Sequence, residues 1–254
     1  MERIKTNVVE LDKLYRKPCS EWLARFKDGK LDAHEAFKKW KQQYVWLYNN
    51  SPYDLVGWEI ENGCFNWKDY SWAVLQLCPE HFDPFQFNWK DFSGQLADYC
   101  PQFFDSERFN WRVFSWAVAQ YCPQHFDPVK FNWVKSSAAV AEHCPQHFDP
   151  VRFNWAEDSW AVAQYCPDLL DPLRYNWEDF SGAVAQYCPD LLDPLRYNWE
   201  DFSGAVAQYC PDKICVEKFN WVDNADDVLN YCPEIIAGLP YDIIGVLTIV
   251  TSIS

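Results

Sequence analysis

Cysteine is the residue type that could carry out the most chemistry in this sequence of 254 residues, which contains eleven cysteines. Eight recur every 22 residues, each followed by proline: Cys78, Cys100, Cys122, Cys144, Cys166, Cys188, Cys210 and Cys232. Close pairs such as Cys-x₂-Cys could hold zinc, but none occurs. On helices about 8–10 Å apart, equivalent Cα atoms would also exceed the roughly 7 Å limit for a disulfide. We therefore predict buried, reduced thiols, without a metal or other cofactor.

Asparagine and acidic residues form two further rows. An Asn precedes one Trp in every 22 residues, and an acidic residue follows three positions after the Asn in six copies: Asp69, Asp91, Glu157, Asp179, Asp201 and Asp223. Asn is a preferred N-cap and such a pair resembles a capping box, so we predict that both stabilise helix N-termini. Val113 and Lys135 leave two copies without the pair. The alternatives are a polar binding row and, for the carboxylates, an imitation of a nucleic-acid backbone.

Tryptophans suited to binding stand five positions after that Trp in alternate copies. They are Trp72, Trp116 and Trp160, with Gly94, Ala138, Gly182 and Gly204 elsewhere in the row. On a helix this position lies about 140° from the first Trp. One hypothesis is a spaced aromatic surface for a peptide or sugar; the alternative is that each Trp fills a gap between helices, over an adjacent Gly. With the variable residues Lys68, Lys90, Arg112 and Lys135, these tryptophans are the predicted partner-binding residues.

No arrangement of residues typical of an enzyme occurs. The sequence has no Gly-rich phosphate loop, no Gly-x-Ser-x-Gly and no His-Glu-x-x-His motif, and it contains only eight glycines. Paired carboxylates recur, but a catalyst needs one special place, whereas this chain offers many similar ones. We predict a protein that is not an enzyme.

A repeat of constant length positions all these rows. Trp recurs at 67, 89, 111, 133, 155, 177, 199 and 221, and residues 168–189 and 190–211 are identical. Counting this Trp as position 0, positions 0, 4, 7, 8 and 11 hold Trp, Ser, mostly Val, mostly Ala, and Cys, which is the stripe of one helix face. Asn before the Trp and Pro after the Cys predict a helix of about three turns with this stripe inward.

The second half of the repeat carries Asp-Pro, an N-cap and N1 signal, and predicts one turn of 3₁₀ or α-helix. Such a short unit must stack on its copies. We predict an all-α fold, an elongated, right-handed-type α-solenoid of eight repeats spanning about 70–80 Å. The alternation of a helix with a 3₁₀ segment resembles leucine-rich-repeat-variant proteins in length and rhythm. The resemblance includes no shared motif and so implies no functional residues.

The sequence divides into residues 1–64, a helical N-terminal capping region, residues 65–236, the array, and residues 237–254, an apolar C-terminal cap or docking tail. In the first region Asp32 and Glu35 predict a helix over 33–48; it covers the first repeat or, alternatively, binds a partner. The tail is uncharged from Ile243 to Ser254, too short to cross a bilayer as a helix. It is expected to pack as a cap or, alternatively, to act as an exposed dimerisation strand.

The net charge of the chain limits the classes of partner that it can bind. The chain has 22 basic and 37 acidic residues, a net charge of −15, and residues 65–254 hold 27 of the acidic residues. This balance argues against direct binding to nucleic acid or an anionic membrane. Charged residues are spread through the first twenty residues, which therefore do not resemble a secretory signal. We expect a cytoplasmic location.

We predict a repeat scaffold that binds a protein or peptide partner, with the charge favouring a basic one, as a monomer or as a homodimer through the tail. The alternatives are an acidic nucleic-acid mimic, of the kind that phages use against host defences, and an engineered or consensus repeat protein without a partner.

Overall fold

A computed structural model describes residues 52–61, 63, 65–240 and 243–244. The chain divides into two compact units at the bond between Phe126 and Asp127. The helix predicted over 33–48 lies outside the described residues, and so does most of the tail.

Helices and 3₁₀ turns are the regular elements of the described residues. The α-helices are α1 Pro52–Glu61, α2 Trp67–Leu77, α3 Trp89–Tyr99, α4 Trp111–Tyr121, α5 Trp133–His143, α6 Trp155–Tyr165, α7 Trp177–Tyr187, α8 Trp199–Tyr209 and α9 Ala225–Tyr231. Within each unit, every helix packs against the next one along the chain. The predicted all-α solenoid of helix-plus-turn repeats is therefore confirmed, while its hand and length stay predictions.

The Cys-Pro pair ends each full-length helix. The backbone N–H of Cys122 still donates to the carbonyl of Val118 at 3.1 Å, as in the last helical turn. The Cys122 backbone itself has φ −143° and ψ 57°, outside helical space. This is the expected effect of the following Pro123, whose ring excludes the α conformation from the residue before it.

The 3₁₀ turn of each repeat begins at this proline rather than at Asp-Pro. The turns are Pro79–His81, Pro101–Phe103, Pro123–His125, Pro145–His147, Pro167–Leu169, Pro189–Leu191, Pro211–Lys213 and the longer Pro233–Gly238. The Asp-Pro segment forms a separate single turn. In it the carbonyl of Asp171 accepts from the N–H groups of Arg174 and Tyr175, and its Oδ1 accepts from Leu173 N at 2.9 Å. The aspartate thus caps a turn and not a helix.

The eighth repeat departs from the predicted pattern, because its helix begins at Ala225 and not at Trp221. Asn224 stands at position 3, where other repeats mostly have an aromatic residue, and its side-chain Nδ2 donates to the carbonyl of Asn220 at 3.1 Å. Asn224 has φ −119° and ψ 23°. Similar dihedral angles occur at the same position of three other repeats, in Tyr70, Phe114 and Phe180. The N–H of Asn224 also still donates to the carbonyl of Asn220 at 3.1 Å, so the backbone of the first turn resembles that of the other repeats although the helix begins later.

The predicted inner stripe forms the core. Val118, Val162, Val184 and Val206 are fully buried, and the Ser at position 4 and the Cys at position 11 are buried in the repeats as well. The first Trp is buried from Trp111 onward but only partly buried at Trp67 and Trp89. The Phe or Tyr two residues before the Trp, which the stripe omits, is also buried, because it folds back edge-on to the Trp ring, as Phe109 does on Trp111 at 5.2 Å.

Adjacent helices approach most closely where glycine stands at position 5. A Cβ atom on Gly94 would lie 2.7 Å from Phe114 Cδ1, and one on Gly182 would lie 2.9 Å from Phe202 Cδ1. The ring at position 3 of the following repeat thus occupies the space above each of these glycines. This differs from the alternative in which a Trp at position 5 covers the adjacent Gly.

The described parts of the two ends pack on the array. Helix α1 packs on α2 through the buried Leu55 and Val56. At the other end Leu239 is buried, and Ile243 and Ile244 pack against the core of the second unit. The role of the remaining tail as a cap or docking strand stays a prediction.

Candidate functional site

A ladder of hydrogen bonds joins each helix N-terminus to the preceding repeat within each unit. Between α7 and α8, the backbone N–H of Asn198 donates to Ser181 Oγ at 3.0 Å, and Asn198 Nδ2 donates to the carbonyl of Glu178 at 2.9 Å. The Ser181 hydroxyl in turn donates to the carbonyl of Trp177. The same two bonds between repeats occur at Asn88, Asn110, Asn154, Asn176 and Asn220. The asparagine row therefore joins repeats and is not a free binding row.

The predicted N-caps are confirmed where aspartate follows. Asn198 Oδ1 accepts from Asp201 N at 3.2 Å, and Asp201 Oδ2 accepts from Asn198 Nδ2 at 2.8 Å. The carboxylate binds the side-chain amide, because the backbone N–H of this Asn is already bonded to the serine of the preceding repeat. Equivalent pairs form at Asn66, Asn88, Asn176 and Asn220.

The prediction was wrong for Glu157. Asn154, three residues before it, makes no side-chain capping bond to the helix that follows. Capping by Asn110 and Asn132, which are followed by Val113 and Lys135, was also predicted wrongly. In the capped repeats the aspartate side chain holds the Asn amide in place.

A hydrogen bond joins the Trp at position 0 to the Asp-Pro turn that precedes it. Trp177 Nε1 donates to the carbonyl of Pro172 at 3.0 Å, and every first Trp from Trp89 onward makes the equivalent bond at 2.9–3.0 Å. The turn is also tied to the preceding repeat, because Arg174 Nη1 donates to the carbonyl of Pro150 at 2.7 Å. The signature residues of the repeat thus serve packing, which leaves the variable exposed residues as candidates for binding.

The thiols of the described array cysteines are free and buried. Burial raises the pKa of Cys122 to about 12 and that of Cys144, Cys188 and Cys210 to about 11. A thiol with such a pKa is not a nucleophile at neutral pH. Among the described residues, no group of three or more His, Cys, Asp or Glu side chains is placed to hold a metal ion.

Because these thiols are buried, we predict that the folded chain loses stability at alkaline pH. Because their pKa is higher in the folded than in the unfolded chain, the unfolded chain releases protons first as pH rises. The stability is fully present below about pH 9 and falls as pH rises from there towards 11–12. Thermal unfolding followed by circular dichroism between pH 7 and about 10.5 should show a midpoint that declines above about pH 9. A flat profile would contradict the buried thiol row.

A buried carboxyl group lies at the N-terminal end of the described residues. Glu59 in α1 is buried beside the apolar cluster of Leu55 and Val56, and desolvation raises its pKa to about 8. Sequence reasoning missed this residue because α1 was not predicted. Its position under the first repeat indicates a packing role.

The structure places the predicted binding residues on the surface of separate repeats. Trp116 is 40% exposed, while Trp72 and Trp160 are half-buried; Lys68, Lys90, Arg112 and Lys135 are exposed. The ring of Trp116 lies edge-on to Tyr121 at 6.2 Å, and Trp160 lies in the same way against Tyr165 at 6.2 Å. The carbonyls of Lys68 and Lys90 accept from the Asn ladder, so their backbone is structural while their side chains point outward.

An exposed tyrosine row escaped the sequence reasoning. It stands at position 10, directly before the Cys, and comprises Tyr99, Tyr121, Tyr165, Tyr187, Tyr209 and Tyr231. Desolvation, together with the charge of Glu142 and a hydrogen bond to it, raises the pKa of Tyr165, so this row meets the preceding repeat. The signal in the sequence was Tyr-Cys-Pro, which six of the eight repeats contain.

Exposed charges differ between the two units. In the first unit the residue after the Trp is Lys68, Lys90 or Arg112, whereas in the second unit the corresponding residues of α7 and α8 are Glu178 and Glu200. Asp179 and Asp201 follow directly and are exposed too. The second unit therefore presents carboxylates at successive helix N-termini.

No protein family model, curated protein or solved structure matches this chain. Within the described part of the chain, none of the helices is both long and apolar enough to span a membrane.

Proposed function

We propose that the protein is a non-enzymatic scaffold that binds a protein or peptide partner along the outer face of its helices. The observation that carries this proposal is the exposed pair of Trp116 and Tyr121, which recurs as Trp160 and Tyr165. Paired aromatic side chains with polar tips supply a large contact area at a low cost in side-chain entropy. The Asn and Ser rows that define the repeat form hydrogen bonds between repeats. We therefore expect the variable positions to bind the partner.

The charges of the second unit favour a basic partner there. Exposed carboxylates precede and follow Trp160 and Tyr165 along the chain: Glu157 at the start of α6, Asp168 after its end, and Glu178 and Asp179 at the start of α7. A lysine or arginine of a partner would meet both a carboxylate and an aromatic face, and each attracts a cation. The row of free buried thiols favours a reducing compartment, so we propose a cytoplasmic location.

The experiment compares partners captured from the native host by the wild type and by the triple variant Trp72→Ala/Trp116→Ala/Trp160→Ala. Affinity for the partner identified should fall roughly tenfold or more in the variant. The matched control is Val134→Ala/Val222→Ala, which truncates exposed side chains at positions 1 of other repeats. Unchanged affinity in a folded triple variant would contradict the proposal, and Trp116→Ala alone provides the same comparison with less disturbance.

An acidic nucleic-acid mimic is the second candidate, favoured by the repeated exposed carboxylates of Glu178, Asp179, Glu200 and Asp201. A mimic should bind a basic nucleic-acid-binding protein with an affinity that falls steeply as ionic strength rises. Binding through the aromatic pairs should depend much less on salt. The triple tryptophan variant separates the two: it should weaken binding through the aromatic pairs and leave binding by a mimic unchanged.

A further inference from the structure

The most exposed apolar side chains of the second unit form one row, which we call the turn row. It consists of Val129, Val151, Leu173 and Leu195, each directly after the proline of an Asp-Pro turn, and each is 76% to 83% exposed. The four prolines before them, Pro128, Pro150, Pro172 and Pro194, are exposed as well. Exposed apolar side chains that recur in a row, rather than singly, are the kind of surface that marks an interaction site.

The turn row has a rigid backbone. Each aspartate Oδ1 accepts from the N–H of the row residue two positions later, as Asp193 does from Leu195 at 2.9 Å. The basic residue after the row residue reaches the proline carbonyl of the preceding turn, as Arg152 does to Pro128 and Arg174 does to Pro150. Because the bonds repeat from one turn to the next, the row has a regular pitch, about the 8–10 Å spacing of packed helices.

The turn row is also locally neutral in a chain with a net charge of −15. The arginines beside it pair with aspartates of their own turns: Arg152 Nε with Asp149 at 3.4 Å, Arg174 with Asp171 at 3.2 Å and Arg196 with Asp193 at 3.2 Å. The row ends at Glu217, which holds the equivalent position of the next turn. Two copies of the chain repel each other elsewhere, but this row lets them approach without an uncompensated charge.

We propose that the turn row is the interface of a homodimer, with the turn rows of two copies antiparallel. A row of protruding side chains at constant pitch is complementary to a second copy of itself, because each side chain fits the gap between two of the partner row. A two-fold axis that lies between Val151 and Leu173, but closer to one of them than to the other, keeps this offset and makes the contact isologous and closed. In the first unit, Phe85 and Glu107 occupy the equivalent positions; Phe85 lies under the guanidinium of Arg108 at 4.4 Å, so an apolar row of this kind does not form there.

Sedimentation equilibrium of the full chain tests the dimer. The wild type should dimerise reversibly, and its dissociation constant should stay constant or fall as ionic strength rises, because salt screens the repulsion between two acidic chains. In Leu173→Glu/Leu195→Glu, the dissociation constant should rise roughly a hundredfold or more. These positions lie on exposed turns, so the variant should keep the circular dichroism and thermal midpoint of the wild type; Leu173→Ser/Leu195→Ser provides an uncharged version.

The matched control is Val134→Glu/Val222→Glu, which adds the same charge at side chains 75% and 63% exposed outside the turn row. It should remain dimeric. A wild type that is monomeric at its highest soluble concentration would overturn the proposal. A dimer that survives in both turn-row variants would overturn it too and would indicate another surface, such as the apolar tail. Equal weakening in the control would attribute the effect to net charge and not to the row.

Discussion

Replacing Trp111 by alanine is expected to lower the free energy of unfolding by about 3–5 kcal/mol, whereas the same replacement at Trp116, on the same helix, should cost about 1 kcal/mol or less. Trp111 is buried, its Nε1 donates to the carbonyl of Ser106 at 2.9 Å, and its ring packs edge-on to Phe104 and Phe109. Trp116 is exposed and contacts Tyr121 at its own helix end.

Urea unfolding followed by far-UV circular dichroism measures both values, and the two variants serve as controls for each other because they share α4. Equal losses would mean that Trp116 belongs to the core. This result would contradict the proposed aromatic binding surface, and a scaffold function would then require a different face of the protein.

Ser181→Ala is expected to cost about 1–3 kcal/mol, an effect out of proportion to the loss of one oxygen atom. The Ser181 hydroxyl is buried between repeats, where it accepts from Asn198 N at 3.0 Å and donates to the carbonyl of Trp177. Alanine would leave the Asn198 N–H without its acceptor at the junction of α7 and α8. A buried donor that loses its partner forfeits its solvation without compensation.

The chain supplies a replicate of this prediction. Ser203 stands in the second of two identical 22-residue blocks, and it accepts from Asn220 N at 2.9 Å. Ser203→Ala should therefore match Ser181→Ala, and amide hydrogen exchange should accelerate at Asn220 in one variant and at Asn198 in the other. Gln186→Ala, at an exposed site on α7, is the control and should change neither quantity. Serine variants that behave like this control would show that the ladder does not stabilise the array.

Local chemistry explains why so much of the repeat could be predicted. The helix limits follow from Asn198 and Cys210-Pro211, since capping and the exclusion of α space before proline act within a few residues. The inner stripe follows from the 3.6-residue period, which puts Ser203, Val206 and Ala207 on one face whatever packs against it. The exceptions are local too: Asn110, Asn132 and Asn154 have no aspartate three residues later, and they make no side-chain capping bond.

The partners across each junction could not be predicted in the same way. That Asn198 reaches Ser181 and the carbonyl of Glu178, 17 and 20 residues earlier, depends on how two helices lie side by side. The same holds for Phe114 above Gly94. Periodicity indicates which face of a helix is buried, but not which neighbour covers each position.

The sequence by itself determined the repeat length, the helix ends, the apolar stripe and the excess of acidic residues, because each depends on residue type and on spacing within one unit. Only the tertiary structure decided which repeated residues remain accessible. The Asn row offers a possible polar binding surface in the sequence but is bonded to the Ser row of the preceding repeat, whereas Leu173 and Leu195 are apolar and yet exposed. Accessibility is a property of neighbouring chain segments in space, and a single repeat does not contain its neighbours.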